Sequence, residues 1–209
     1  MKQRIFKPEH VMFRKSLKGY LKDKVIPFYN AWEEAGTTPR EVWLEAGKNG
    51  WLCTMADERY GGPGGDFLYS VVITEELYYH ALNGLFWGVH SDIFLPYLET
   101  YATEQQKQKW IPKCITGETI LALAMTEPEV GSDIARLTTT ARREGGNFIV
   151  NGTKTFISNG QLADLCIVAV RTSDTNRPHD GISLLIVEAD RKGYYRGPNL
   201  KKIGLHAQD

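Results

Sequence analysis

Two polar segments in the second half of the chain carry residue types that could bind a ligand. They read "AMTEPEVGSD" at residues 124–133 and "TFISNG" at residues 155–160, and the first continues an apolar run at residues 120–125. Three of their hydroxyl side chains, on Thr126, Ser132 and Ser158, are expected at the ends or edges of strands. Hydroxyls and exposed backbone N–H groups at strand ends can bind a planar polar ligand or an anion, and Phe156 could cover one face of a ring. Turn chemistry accounts for the same residue types, so both interpretations stay open.

The other candidate motifs do not support a different chemistry. The stretch "YGGPGGD" at residues 60–66 does not satisfy G-x-G-x-x-G and follows no βαβ pattern, so a connector between helices is the simpler interpretation. Ser132 lies in "VGSDI" instead of G-x-S-x-G, which argues against a hydrolase triad. The cysteines are far apart and lack metal-ligand spacing, so we expect reduced thiols and no metal site.

Charge and hydropathy argue against two classes of partner. The 209 residues contain 25 Lys+Arg and 25 Asp+Glu, a balance that argues against nucleic acid or an anionic membrane surface. No apolar run approaches the roughly 20 residues that span a bilayer. The N-terminal decapeptide "MKQRIFKPEH" is charged but has no apolar region behind it. We therefore expect no signal peptide or transit peptide, and a cytoplasmic location.

Residues 1–119 are predicted to form an all-α domain. Four apolar residues recur every four positions and define one stripe of an amphipathic helix: Phe13, Leu17, Leu21 and Val25. Thr38 and Thr103 each begin a sequence typical of a capping box, and Asp66 is a candidate N-cap. Pro96 should kink or break the apolar segment at residues 85–101.

Residues 120–209 are predicted to form an all-β domain, which makes the chain an α+β protein. Two hairpins are indicated, one at Gly145-Gly146 and one at Asn151-Gly152, with residues 153–158 as the last strand of the second. Two apolar runs of strand length, residues 165–170 and 182–187, flank a polar loop at residues 172–180. The chain ends in "LKKIGLHAQD" without a capping helix, so we expect the all-β domain to be interrupted there.

The order and spacing of these segments resemble a known family. "AMTEPEVGSD", "NGTKTFISNG", "ADLCIVAV", "GISLLIVEA" and "KKIGLHAQD" are similar to the middle β-domain of the acyl-CoA dehydrogenases. The signature of that domain is roughly [A/C]-x-T-E-P-x-x-G-S-D followed by K-x-[FW]-I-[TS]-N-G. "YGGPGGD" and "HSDIFLPYLETYATEQQKQKWIPK" resemble the helical N-terminal domain of the same family. The similarity is closest to its long-chain members and covers essentially the whole chain.

The resemblance implies an FAD enzyme that oxidises the Cα–Cβ bond of an acyl-CoA thioester to a trans-2-enoyl-CoA, as in fatty-acid β-oxidation. In that family a carboxylate removes the α-proton and the β-hydride passes to flavin N5, so the cofactor carries the redox chemistry. An electron-transferring flavoprotein then accepts the electrons. The resemblance also implies a homotetramer for the full-length protein, and the mitochondrial matrix for a processed eukaryotic form.

The resemblance also implies a set of FAD-binding residues in the two polar segments. They are Leu123, Met125, Thr126, Gly131, Ser132, Phe156, Ile157 and Ser158. The strand ending at Thr126 would lie along the isoalloxazine ring, with the Thr126 hydroxyl on its polar edge and Ser158 near N5. Ser132 would also reach the CoA portion of the substrate.

Two departures from the family pattern have consequences. Glu129 stands where the family commonly has glycine, and a positive φ there would cost about 1–2 kcal/mol. The family's catalytic glutamate lies in a C-terminal helical domain that these 209 residues do not include, and neither Glu127 nor Glu129 matches it by motif. We therefore assign no catalytic residue to this chain and expect the 209 residues alone to be inactive.

Two alternatives keep the same fold. The chain could be a non-catalytic or split subunit that contributes half of an acyl-CoA and FAD site to a partner. It could also belong to an acyl-CoA oxidase or a flavin monooxygenase of similar architecture.

Overall fold

The structure is a computed structural model that describes residues 5–173, 177 and 179–208. Four residues of the N-terminal decapeptide and part of the predicted loop at 172–180 therefore lie outside the described residues. The chain divides into two compact units. One contains Met1–Ile120 and Gly197–Asp209, and the other contains Leu121–Arg196.

The first unit is helical, as the sequence predicted. Its α-helices are α1 (Pro8–Tyr20), α2 (Tyr29–Ala35), α3 (Arg40–Lys48), α4 (Phe67–Tyr79), α5 (Leu95–Tyr101) and α6 (Glu104–Ile115). It also has π-helical turns at Leu21–Val25 and Val89–Phe94, and a 3₁₀ turn at Glu58–Tyr60. None of the helices within the described ranges combines the length and the apolar character needed to cross a bilayer.

The apolar stripe in α1 continues beyond the end of that helix. Leu17, Leu21 and Val25 are fully buried. A spacing of four residues exceeds the 3.6 residues of an α-helical turn, so in a straight α-helix the later members would rotate off the buried face. The wider π-helical turn at Leu21–Val25 compensates for this drift and keeps Val25 in the core.

Two of the predicted helix N-termini are confirmed. The Thr103 hydroxyl accepts a hydrogen bond from the Gln106 backbone N–H at 3.3 Å, and the Gln106 side chain accepts one from the Thr103 N–H at 2.9 Å. Asp66 accepts a hydrogen bond from the Leu68 N–H at 3.0 Å at the start of α4. Both caps satisfy backbone donors that a helix start leaves unpaired.

The predicted capping box at Thr38 is wrong. Helix α3 begins after Pro39 without a side-chain cap. The buried Thr38 hydroxyl instead accepts a hydrogen bond from the Trp43 indole N–H at 3.1 Å. A buried indole N–H needs a partner, and Trp43 is almost fully buried, so the hydroxyl serves the core and not the helix end.

The last residues of the chain contact the helical unit. The Asn199 amide donates to the Gly36 carbonyl at 2.9 Å, and the His206 N–H donates to Glu33 Oε2 at 2.8 Å. Glu33 Oε1 also accepts a hydrogen bond from the Tyr29 hydroxyl at 2.6 Å. The sequence-based boundary placed residues 197–209 in the all-β domain. In the structure residues 197–208 group with the helices, and α2 and the turn after it supply polar partners for Asn199 and His206.

The second unit is a five-stranded sheet. Its strands are β1 (Leu121–Ala124), β2 (Thr140–Glu144), β3 (Asn147–Asn151), β4 (Leu165–Arg171) and β5 (Ile182–Glu188). Strand β4 is central: it pairs parallel with β1, antiparallel with β5, and parallel with β2 at Thr140 and Arg171. Six of its seven residues are buried, as expected for a strand covered on both faces. Helices followed by a sheet confirm the predicted fold class.

One of the two predicted hairpins forms. β2 and β3 pair antiparallel across Gly145-Gly146. The hairpin at Asn151-Gly152 is wrong, because residues 153–158, all of which the structure describes, form no strand. A Cβ at Gly152 would lie 2.3 Å from Thr139 Oγ1, so the backbone passes against Thr139 there. The chain then runs to the end of β1, where Thr155 finds a backbone partner in Thr126.

Candidate functional site

The two polar segments are brought together in the structure. The Thr155 N–H donates to the Thr126 carbonyl at 3.0 Å. The Lys154 ammonium donates to the Met125 carbonyl at 3.0 Å, and the Asn159 amide donates to the Leu121 carbonyl at 3.1 Å. The segment at residues 154–159 therefore lies along β1 and its extension. The backbones around Thr126 and Phe156 are neighbours, as a shared binding site requires.

A tight turn follows β1. Glu127 and Val130 exchange backbone hydrogen bonds of 2.9 and 3.1 Å, with Pro128 and Glu129 at the corner. Glu129 lies within the described part of the chain and does not have a positive φ. The predicted strain at Glu129 is therefore absent, because this turn is built without a left-handed residue at that position.

Gly131 and Ser132 come directly after this turn. Both residues are exposed, and a Cβ on Gly131 would meet no atom within 4 Å. Glycine is thus not required there by the local packing of this unit. The open space leaves the Gly131 backbone accessible to a ligand.

The apolar members of the predicted site have different surroundings. Leu123 is half-buried and alternates with Ala122 and Ala124, which face a cluster around β4. Ile157 packs against that cluster, whereas Met125 packs against a separate cluster that contains Val130. Ile157 therefore anchors its segment to the sheet, and the half-buried Ser158 follows it directly.

Phe156 combines exposure with backbone strain. Its φ is +55°, in the left-handed region, and 73% of its surface is exposed. A non-glycine residue in this conformation costs about 1–2 kcal/mol, and such residues cluster at functional sites. Packing does not explain the strain, because an exposed ring contributes little to the core. An aromatic face held in this way is available to a planar ligand.

The conformation of Phe156 can be tested with two substitutions that both remove the ring. We expect Phe156→Gly to be more stable than Phe156→Ala by about 1 kcal/mol, because only glycine adopts a positive φ without steric cost. In an ordinary extended or helical conformation the order would be reversed, since glycine loses more chain entropy on folding. Urea unfolding of the two variants measures the difference. Equal stability, or a more stable alanine variant, would show that Phe156 is not left-handed.

A buried carboxylate, on Glu127, directly follows Thr126 of the candidate site. Glu127 Oε2 accepts hydrogen bonds from the Thr138 N–H at 2.6 Å and the Thr138 hydroxyl at 2.7 Å. Oε1 accepts from the Thr139 N–H at 2.8 Å and from Lys154 at 2.9 Å. Burial alone would raise the pKa of Glu127, but these hydrogen bonds outweigh it and hold the pKa well below its usual range. Glu127 is thus held as an anion by its hydrogen-bond donors.

Three residues of this region were not assigned a binding or positioning role from the sequence. They are Glu127, Lys154 and Asn159. Glu127 and Lys154 are 27 residues apart, and only the fold shows that they form an ion pair. A signal was available for Asn159, since Asn tolerates a left-handed conformation and stands before glycine in "SNG". Its φ is +62° and it is almost completely buried.

The exposed and half-buried groups suit a flavin more than a metal ion. Thr126 and Ser158 offer hydroxyls, Phe156 offers a ring face, and Gly131 offers open backbone. Among the described residues no group of three or more His, Cys, Asp or Glu side chains could hold a metal ion. A planar ring system with a polar edge fits this set of residues.

Comparison with known proteins gives matches for both halves of the chain. Residues 7–118 match the family model "Acyl-CoA dehydrogenase, N-terminal domain", and residues 122–209 match "Acyl-CoA dehydrogenase, middle domain". The chain is 45% identical over 208 residues to the long-chain specific mitochondrial acyl-CoA dehydrogenase of Mus musculus, covering 99% of this chain and 48% of that protein.

Solved structures show the same similarity. An acyl-CoA dehydrogenase from Geobacillus kaustophilus is 53% identical with a TM-score of 0.94, covering 99% of this chain and 55% of that one. A glutaryl-CoA dehydrogenase from Mycobacterium smegmatis in complex with FADH2 is 29% identical with a TM-score of 0.88, covering 99% of this chain and 52% of that one. The chain spans about half the length of the curated relatives it matches. With both of its halves matched by family models, the chain belongs to the acyl-CoA dehydrogenase family.

Proposed function

We propose that the protein containing these residues is an FAD-dependent acyl-CoA dehydrogenase that converts an acyl-CoA thioester to a trans-2-enoyl-CoA. The observation that carries the proposal is the junction of Thr155 with Thr126, which sets the exposed, strained Phe156 beside the end of β1. Family membership supports it, as does the FADH2 complex of the Mycobacterium smegmatis relative. When bound, FAD would supply the redox chemistry, and the protein would supply position and electrostatics.

The residues of the second unit would divide the work of binding. Leu123, Met125 and Thr126 would lie along the isoalloxazine ring, with the Thr126 hydroxyl on its polar edge. Phe156, Ile157 and Ser158 would contact the ring from the second segment. Gly131 and Ser132, both exposed after the turn, would extend the site, and Ser132 would also contact the CoA portion of the substrate.

The catalytic base is proposed to lie outside these 209 residues. The acidic side chain beneath the candidate site is Glu127, which is buried and held as an anion by four hydrogen bonds, so it is a poor proton acceptor. The chain alone should therefore be inactive. For the full-length protein we propose a homotetramer, an electron-transferring flavoprotein as electron acceptor, and a location in the cytoplasm or, in a eukaryote, the mitochondrial matrix.

The proposal predicts a coloured protein. The natural gene product, purified and mixed with excess FAD, should retain a visible flavin absorption band after gel filtration. With acyl-CoA substrates of increasing chain length it should bleach that band and release enoyl-CoA when a dye acceptor is present. The 209-residue chain serves as the comparison and should release none. A gene product that stays colourless would contradict the proposal.

The choice of electron acceptor separates the alternatives. Reduction of an electron-transferring flavoprotein without peroxide supports the dehydrogenase, whereas stoichiometric peroxide release would identify an oxidase. Dye-linked activity that appears only after a second protein from the source cell is added would identify a split subunit. The first outcome supports the proposal, and the other two would contradict it in different ways.

A further inference from the structure

The segment at residues 155–158 is held at both of its ends by side chains that bind the backbone of β1 and its extension. On one side the Lys154 ammonium donates to the Met125 carbonyl at 3.0 Å and to Glu127 Oε1 at 2.9 Å. On the other side the Asn159 amide donates to the Leu121 carbonyl at 3.1 Å. The two anchors bind carbonyls at opposite ends of the strand. They fix the segment along the strand at two points.

The anchored segment could not keep its conformation through local preferences alone. Phe156 and Asn159 both have positive φ, at +55° and +62°. Two such residues within four positions are unfavourable for an unconstrained chain. Strained backbone persists only where the surrounding structure determines it, so the anchors keep the ring of Phe156 in place.

The Lys154–Glu127 pair is poorly suited to a purely stabilising role. The side chains are 10% and 2% exposed, so both charges have lost most of their water. Replacing a buried ion pair with apolar side chains is often neutral or stabilising, because desolvation opposes the attraction between the charges. An ion pair does, however, impose a defined geometry that apolar packing does not. Here that geometry joins three parts of the unit: the turn after β1, the segment before β2, and residue 154.

We propose that Lys154, oriented by Glu127, and Asn159 are positioning residues that clamp residues 155–158 against β1 and so set Phe156 and Ser158 for the flavin. This inference rests on the proposed function, because it assumes that FAD binds beside these residues. Neither Lys154 nor Asn159 contacts the reacting atoms. They act through the backbone that they hold.

Four variants of the natural gene product test the clamp. Lys154→Met removes the charge and both hydrogen bonds, and Lys154→Arg keeps the charge. Asn159→Gly keeps a residue that tolerates positive φ and removes only the amide. Arg142→Met is the matched control, because it breaks an exposed pair with Glu144 on the same sheet, where the side chains are 77% and 63% exposed.

The readouts are the Kd for FAD, the position of the visible flavin bands and the thermal midpoint of the apoprotein. We expect Lys154→Met to raise the Kd for FAD at least about tenfold, which corresponds to a loss of about 1.4 kcal/mol of binding free energy. The same variant should shift the visible flavin bands. Lys154→Arg should retain most of the affinity for FAD, because it keeps the positive charge. Asn159→Gly should raise the Kd about threefold. Arg142→Met should change neither the Kd nor the spectrum.

Failure of the proposed function and failure of the clamp give different results. If the unmodified gene product binds no FAD, the proposed function is wrong and the clamp falls with it. If it binds FAD and Lys154→Met lowers only the thermal midpoint, leaving the Kd and the spectrum unchanged, the residue is structural and the inference is wrong. Should Lys154→Met be insoluble, Asn159→Gly decides: an unchanged Kd and spectrum for this variant would overturn the clamp.

Discussion

A Glu127→Gln variant is expected to lose about 3–5 kcal/mol of unfolding free energy at neutral pH, the usual cost of removing one partner of a buried ion pair. The side chain is 2% exposed and accepts four hydrogen bonds. Glutamine keeps the shape but replaces one acceptor oxygen with an NH₂ group, which then faces donors. Lys154 would also keep a buried charge without its counter-ion. Both effects destabilise the folded state, whereas the unfolded chain is hardly changed.

The same variant should change how stability depends on pH. The pKa of Glu127 is lowered in the folded protein, because hydrogen bonds to the ionised form outweigh the opposing effect of burial. The ionised form therefore contributes stability above the unfolded pKa of about 4.3, and this contribution is lost as pH falls toward the folded value. The unfolding free energy of the wild type should fall as the pH is lowered below about 4.5. The unfolding free energy of Glu127→Gln should fall less steeply.

Urea unfolding between pH 3 and pH 7 measures this difference. Glu144→Gln is the matched control, because it makes the same chemical change in an exposed pair that contributes about 0–1 kcal/mol. The difference in unfolding free energy between wild type and Glu127→Gln should decrease as the solution is acidified. The corresponding difference for Glu144→Gln should stay small over the whole pH range. A gap for Glu127→Gln that is independent of pH would contradict the buried, ionised carboxylate.

Gly117→Ala is expected to destabilise the helical unit by about 3 kcal/mol or more. Gly117 has a φ of +77°, which costs about 1–2 kcal/mol for a residue with a Cβ. That Cβ would also lie 2.3 Å from the Trp43 carbonyl oxygen and 2.7 Å from the Trp43 carbonyl carbon. Overlap with backbone cannot be relieved by a rotamer change, so α3 and the turn after α6 would have to move apart.

Gly50→Ala separates the two contributions. Gly50 has a similar φ of +72°, but a Cβ there would meet no atom within 4 Å. It should cost only the conformational term, about 1–2 kcal/mol. Thermal unfolding followed by tryptophan fluorescence is a suitable measurement, because Trp43 is buried at the contact. Equal losses for the two variants would mean that α3 and the turn are not in backbone contact.

Short-range sequence patterns, such as capping boxes and turn signals, predicted some local structures correctly and others wrongly. The Thr103 capping box formed because its two hydrogen bonds involve residues three positions apart. The Thr38 box has the same local pattern but failed, because a buried indole competed for the hydroxyl. The Asn151-Gly152 turn signal failed for a similar reason, since the next residues bind the end of β1. A local preference of about 1 kcal/mol is easily exceeded by several long-range contacts.

The sequence by itself determined the order of helices before strands and the positions of the two polar segments, since periodicity and motif spacing depend on neighbouring residues. The tertiary structure decided how those segments form one candidate site. It paired Lys154 with Glu127, set Phe156 in a left-handed conformation, and placed residues 197–208 against α2. These features depend on buried charges and backbone contacts between residues far apart in the chain, where the cost of leaving a group unpaired is high. No local pattern specifies such contacts.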